Sequence, residues 1–338
     1  FFTGSDARFL PPGISDHSPM VVSLVKLPKR KISFKFFDFW ANHPEFLSVV
    51  ARAWDFEVVG SPMYCLCRKL KNVKTALKKF NMEHFSNLNG RAFSVRGELE
   101  RVQYALQDNP SDIGLLAEER RLSLLYGSLS RDEESLVRQK SRVQWLTLGD
   151  QNTKFFFQAM KQHHRRSKIT SIYKADGTHL EEPTLVREEI MSYYRTLLGS
   201  QPAQQSLDHG FLRTCITHVI SEEQRQALDR EVMDDEIKSA LFSLKDNKAP
   251  GPDGFSSGFF KKAWSVVGVD VIRAIRSFFR SGRLLKEVNT TYITLIPKVP
   301  NPSQVKDFQP ISCCNTIYKC IAKIITDRIK VVLLSVVS

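Results

Sequence analysis

No stretch of this sequence approaches the roughly 18 to 20 uninterrupted apolar residues that a membrane span requires, and no charged leader precedes a hydrophobic run at its start. The expectation is a soluble, unsecreted chain with no membrane partner. Cysteine is scarce: the six fall as Cys65-Leu-Cys67, Cys215, Cys313-Cys314 and Cys320. They form no C-x-x-C pair with matched histidines, which argues for reduced thiols and against a zinc site. Acid is short as well, 36 Asp and Glu against 49 Lys and Arg. The resulting formal charge of +13 and pI near 9.5 point to a polyanionic partner, because clustered cations release counterions from phosphates. Nucleic acid is the first such partner and an anionic membrane surface the second. No internal repeat is visible.

What is present suffices for about two domains: 338 residues, 42% of them hydrophobic. The opening residue is Phe1 and the last residues run in an uncapped helical pattern, so both ends read as cut. Ile14 to Pro19 reads as a turn before a short apolar strand, Met20 to Leu27, and Pro28-Lys-Arg-Lys31 marks a boundary. Phe34 to Trp54 is so dense in aromatics that it is expected to form core against a neighbouring segment. From Met63 to Leu106 and again from Ile113 to about Leu146, apolar residues recur at three and four spacing, which predicts a long antiparallel helical hairpin. Its first arm carries Arg68, Lys69, Lys71, Lys74, Lys78 and Lys79, readable as a solvated face.

Residues 138–168 hold eight cations, Arg138, Lys140, Arg142, Lys154, Lys161, Arg165, Arg166 and Lys168, against the single Asp150, interleaved with Trp145 and Phe155 to Phe157. Cations that track phosphates beside rings that stack on bases make a nucleic-acid groove. An amphipathic helix with a basic outer face reads equally well. Ala175-Asp-Gly177 predicts a short hairpin, and Ser221-Glu-Glu-Gln224 a capping box that opens a helix. Asp234-Asp-Glu236 opens another, and Val232-Met-Asp-Asp235, although it imitates a metal-binding Asp pair, is expected to cap it. Further on come a tight Pro-Gly-rich turn at Lys248-Ala-Pro-Gly-Pro-Asp-Gly-Phe255, an apolar strand from Thr291 to Ile296, and a helix entered through Asn315.

Several of these segments, in order, resemble the polyprotein of plant LINE-type (non-LTR) retrotransposons. Phe9-Leu-Pro-Pro-Gly-Ile-Ser-Asp-His-Ser-Pro19 is similar to the end of the apurinic-type endonuclease domain, and Arg138 to Phe156 to the connector. Lys248 to Phe255 looks like the polymerase entry loop, and Thr294-Leu-Ile-Pro-Lys298 with Asp307-Phe-Gln-Pro-Ile-Ser312 resembles the fingers hairpin. The resemblance implies an α+β, mainly helical chain: an endonuclease remnant strand in residues 1–30, a basic helical connector in 31–200 built on the long hairpin, and the fingers of a right-hand reverse transcriptase in 201–338, truncated before the palm. It implies catalytic roles for Asp16 and His17 in the nuclease, and template contact for Pro250, Gly251, Asp253 and Gly254. Lys298 and Gln309 would meet the incoming nucleotide, although family members usually carry Arg at the position of Gln309. The partners implied are RNA and DNA, bound without sequence preference, with dNTP and Mg2+ belonging to the intact enzyme and no metal expected on this chain. A non-enzymatic nucleic-acid-binding protein derived from such an element is the alternative.

Overall fold

The computed structural model describes residues 6–9, 20–23, 33–141, 169–199, 220–246 and 248–336. They divide into two units at residue 33. The first unit shows one antiparallel hairpin, β1 (Asp6–Phe9) against β2 (Met20–Ser23), in a register that sets Asp6 opposite Ser23 and Phe9 opposite Met20.

The second unit is mainly helical and is organised by the aromatic run. Phe34, Phe36, Phe39, Trp40, Phe46 and Trp54 are all buried, as the sequence leads one to expect. They come from an extended segment, a 3-10 turn at Asp38–Asn42 and helix α1 (Phe46–Trp54). Their neighbours lie far away in sequence. Phe36 stacks edge-on with Phe259 at 5.4 Å between centroids, and Phe34 with Phe255 at 5.3 Å. Edge-to-face pairs of this kind add to the area they bury.

Helix α2 (Pro62–His84) starts where Ser61 accepts from the Tyr64 amide and Pro62 occupies the first turn, whose amide needs no partner. Its stripe of Met63, Leu66, Leu70, Val73, Leu77 and Phe80 is buried in the core. There the first arm of the expected hairpin breaks. Phe85 turns inward against Phe39, at 5.0 Å, and Asn87 adopts a left-handed backbone with φ 50°, a conformation Asn tolerates better than most residues. The hairpin proper is therefore α3 (Leu88–Asp108) against α4 (Ile113–Ser141), while α2 belongs to the core with α1.

Strands β3 (Ile172–Tyr173) and β4 (His179–Leu180) close over Gly177 at φ 85°, with the Thr178 amide donating to Asp176 Oδ1. They form a small second cluster with α5 (Pro183–Gly199), in which Ile172, Leu180, Val186 and Tyr194 surround Val305. The capping box at Ser221 and Gln224 is formed in full and opens α6 (Glu222–Asp229). Helices α7 (Asp234–Ser243), α8 (Ser257–Lys262), α9 (Trp264–Ser281) and α10 (Lys286–Asn289) follow. The strands β5 (Tyr292–Pro297) and β6 (Phe308–Cys313) pair antiparallel, and α11 (Thr316–Val336) buries Ile317, Cys320, Ile321 and Ile324 in the same core as α2. No helix among the described residues is long and apolar enough to cross a membrane.

Candidate nucleic-acid interface

The Pro-Gly-Pro-Asp-Gly turn is where the aromatic segment, α2 and the later helices meet. A Cβ on Gly251 would stand 2.2 Å from Asn315 Oδ1 and 2.5 Å from the Asn315 amide nitrogen, so only glycine fits. Gly254 has φ 85°, and its Cβ would lie 2.2 Å from the carbonyl oxygen of Phe34. The Gly254 amide closes the turn onto Gly251 O at 3.0 Å, and the Phe36 amide donates to Gly254 O at 2.9 Å. Asn315 then clamps the turn from the other side. Its Oδ1 accepts from the Asp253 amide at 3.3 Å, and its Nδ2 donates to the carbonyls of Glu287 and Val288 at 2.9 and 3.2 Å. Thr316 adds a buried bond from its hydroxyl to Phe255 O at 2.8 Å. Asn315 was expected to cap α11. Its carbonyl does accept from the Lys319 amide, but its side chain is spent on the loop and on α10.

Two lysines reach the loop from opposite elements. Lys74 of α2 donates to Asp253 O at 3.4 Å and stands 5.3 Å over the Phe34 ring, and Lys319 of α11 donates to Ala249 O at 2.6 Å. Asp253 lies between them. Burial pushes its carboxyl up to about 6, against the pull of the Phe255 amide, Lys74, the Gly254 amide and Lys319. Lys74 is held below the usual lysine range by burial and then by the neighbouring cation Lys78, with Lys71 adding to the effect and Asp253 opposing it. Lys319 is lowered by burial too, with Cys313, Cys314 and Asp253 pulling the other way and Lys248 pressing it further down. The loop is thus a half-buried turn whose carbonyls are tied down, with lysines reaching it from α2 and α11.

The other residues singled out by sequence fall elsewhere. Lys298 and Gln309 lie on the exposed β5–β6 hairpin: Gln309 is paired in register with Ile296, and the Lys298 amine donates to Lys306 O at 3.1 Å. No hydrogen bond or ion pair among the described residues joins this hairpin pair to the 248–255 loop. Of the basic run, Arg138 and Lys140 lie at the end of α4. Lys140 stands 5.8 Å over the Phe37 ring and is lowered by burial, while Gln139 between them bonds to the backbone of Phe36 and Asp38. Arg142, Lys154, Lys161, Arg165, Arg166 and Lys168 lie outside the described residues, as do Asp16 and His17. Asp234 and Asp235 sit in the first turn of α7 and do not cap it: Met233 holds the cap position, and Asp234 pairs with Arg276. Among the described residues, no three His, Cys, Asp or Glu side chains converge to hold a metal ion. The sequence does not announce Asn315 and Lys319 as loop partners. The only sequence signal was an Asn just before a helix and a Lys four residues on, and its meaning depends on a tertiary contact.

No protein-family model matches the chain. A Xenopus laevis protein described as the transposon TX1 uncharacterized 149 kDa protein is 32% identical over 202 residues, which is 59% of this chain and 15% of that protein. The chain therefore corresponds to a small part of that relative's length. Over that matched segment it is similar to a protein encoded by a transposon.

Proposed function

We propose that this chain is a piece of a non-LTR retrotransposon reverse transcriptase polyprotein, and that its own role is to grip single-stranded RNA or DNA without sequence preference. The observation that carries the reading is the clamped 248–255 loop. The segment that resembles a polymerase entry loop is held rigid by the connector on one side and by α10 and α11 on the other, with a lysine from each side at its carbonyls. A preorganised turn of this kind binds a strand without an ordering cost at the moment of contact. The order of the resembling motifs and the likeness to a transposon protein support the same reading.

Within it, Lys298 on the β5–β6 hairpin offers a cation to a triphosphate, and Gln309 offers only a neutral amide where the family places a guanidinium. Arg138, Lys140 and the cations of 142–168 extend the basic surface. Mg2+ belongs to the intact enzyme. The family's nuclease residues matched here are Asp16 and His17; the role proposed for this chain is binding. The test is a titration of the purified chain with fluorescent single-stranded RNA and DNA. Micromolar or tighter binding that weakens steeply with salt supports the reading; no binding at 50 mM salt rejects it, because counterion release would then contribute nothing.

A further inference from the structure

The cations on the exposed side of α2 are not all used alike. Lys69 is paired with Asp270 at 2.7 Å and Lys79 with Glu83 at 3.7 Å. Lys71 and Lys78 are exposed and have no carboxylate partner among the described residues, and Lys74 between them bonds only to a loop carbonyl. These three recur at i, i+3 and i+7, so they lie along one stripe of the helix. At 1.5 Å per residue the stripe runs about 10 Å. Where it reaches the loop, Lys319 and the exposed Lys248 continue it.

We propose that Lys71, Lys74 and Lys78, continued by Lys319 and Lys248, form a phosphate track that holds the backbone of one nucleic-acid strand against the clamped loop. The inference rests on the nucleic-acid reading above and adds the surface that makes the contact. Burial is the first cause that lowers Lys74 and Lys319; Lys78 and Lys71 press Lys74 further down and Lys248 does the same to Lys319, and an arriving phosphate offsets that repulsion. A membrane surface fits less well. An interfacial helix inserts an apolar face beside its lysines, and the apolar face of α2 is already buried in the core.

The experiment uses the full chain and single-stranded RNA at salt concentrations from 50 to 200 mM. The double variant Lys71→Gln/Lys78→Gln removes two charges whose amines touch no protein partner among the described residues. A triple variant adds Lys74→Gln, and Lys79→Gln serves as the control. Each lost phosphate contact should reduce the slope of log affinity against log salt by about 0.7, so the double variant should lose about 1.4 and the triple about 2. Lys→Arg at the same positions should keep the slope, and circular dichroism melts should show every variant folded. An unchanged slope in folded double and triple variants overturns the track while leaving nucleic-acid binding intact. Failure of the wild-type chain to bind overturns both. Phosphatidylserine vesicle binding that is lost in the double variant, with RNA binding unaffected, assigns the row to a membrane and overturns the proposal.

Discussion

Gly251→Ala is the sharpest perturbation available to the clamp. The new methyl would meet Asn315 at its Oδ1, its amide nitrogen and its Cα, at 2.2, 2.5 and 2.7 Å, and two of these are backbone atoms at the start of a 21-residue helix. A flexible side-chain tip could swing away; a helix start buried at Thr316 and Ile317 cannot do so cheaply. Overpacking of this kind typically costs about 1–3 kcal/mol. Displacing Asn315 also strains its bonds to Glu287 O and Val288 O, which contribute on the order of 1 kcal/mol each. The expected loss is about 3 kcal/mol, or roughly 5 °C in melting temperature for a unit of this size. Urea unfolding followed by circular dichroism measures the first quantity and a thermal scan the second. Asn315→Ala in the same background removes the 2.2 Å clash and leaves the two backbone ones, so it should restore only part of the loss. A Gly251→Ala chain that melts within a degree of wild type would refute the idea that the loop is pressed onto Asn315.

Other consequences concern titration and the anchoring of α11. A carboxyl raised to about 6 in the folded chain binds its proton more tightly there than when unfolded, so Asp253 adds stability as pH falls from above 6 towards 4 and loses it on the way back up. Asp253→Asn keeps an acceptor for the Phe255 amide, which donates to Oδ1 at 3.1 Å, and should stabilise the chain at pH 7.5 by on the order of 1–3 kcal/mol, with the gain vanishing near pH 4. Equal gains at both pH values in paired urea titrations would show that burial of the charge is not the cause. Arg328 holds Glu236 with two bonds, at 2.8 and 2.9 Å, and also donates to the carbonyls of Leu228 and Arg230. Arg328→Ala should therefore cost on the order of 2–4 kcal/mol, Arg328→Lys less, and an Arg328→Ala chain as stable as wild type in urea would contradict this. Because Arg328 holds the Glu236 carboxyl below its usual range, part of that difference should disappear as the pH falls into the carboxylate range.

The sequence was most legible where the signal is local. The density of phenylalanine and tryptophan from Phe34 to Trp54 foretold a core segment because so much apolar area has nowhere else to go. The Ser221 capping box and the Asp176-Gly177 turn are complete within four residues, and both formed as read. The break between α2 and α3 was not legible. Apolar spacing continues through it, and what ends the helix is Phe85 finding Phe39 and His43 across the core. The clamp on the loop was half legible. Two prolines and two glycines announce a tight turn, but that Gly251 must be bare to admit Asn315, 64 positions later, is a tertiary fact. The lysines of α2 gave the same limited view, since a row of exposed cations reads as a solvated face until Lys69 and Lys79, which are paired, can be compared with Lys71 and Lys78, which have no carboxylate partner among the described residues.

Ultraviolet crosslinking of the chain to a short RNA, followed by mass spectrometry of the attached peptides, tests most directly whether single-stranded nucleic acid lies against the clamped loop. Adducts are expected on peptides from residues 248–262 and on those of α2 around Lys71 to Lys78, with the loop adducts weakened in Gly251→Ala. Adducts confined to the α3–α4 hairpin, or loop adducts that survive Gly251→Ala undiminished, would contradict it.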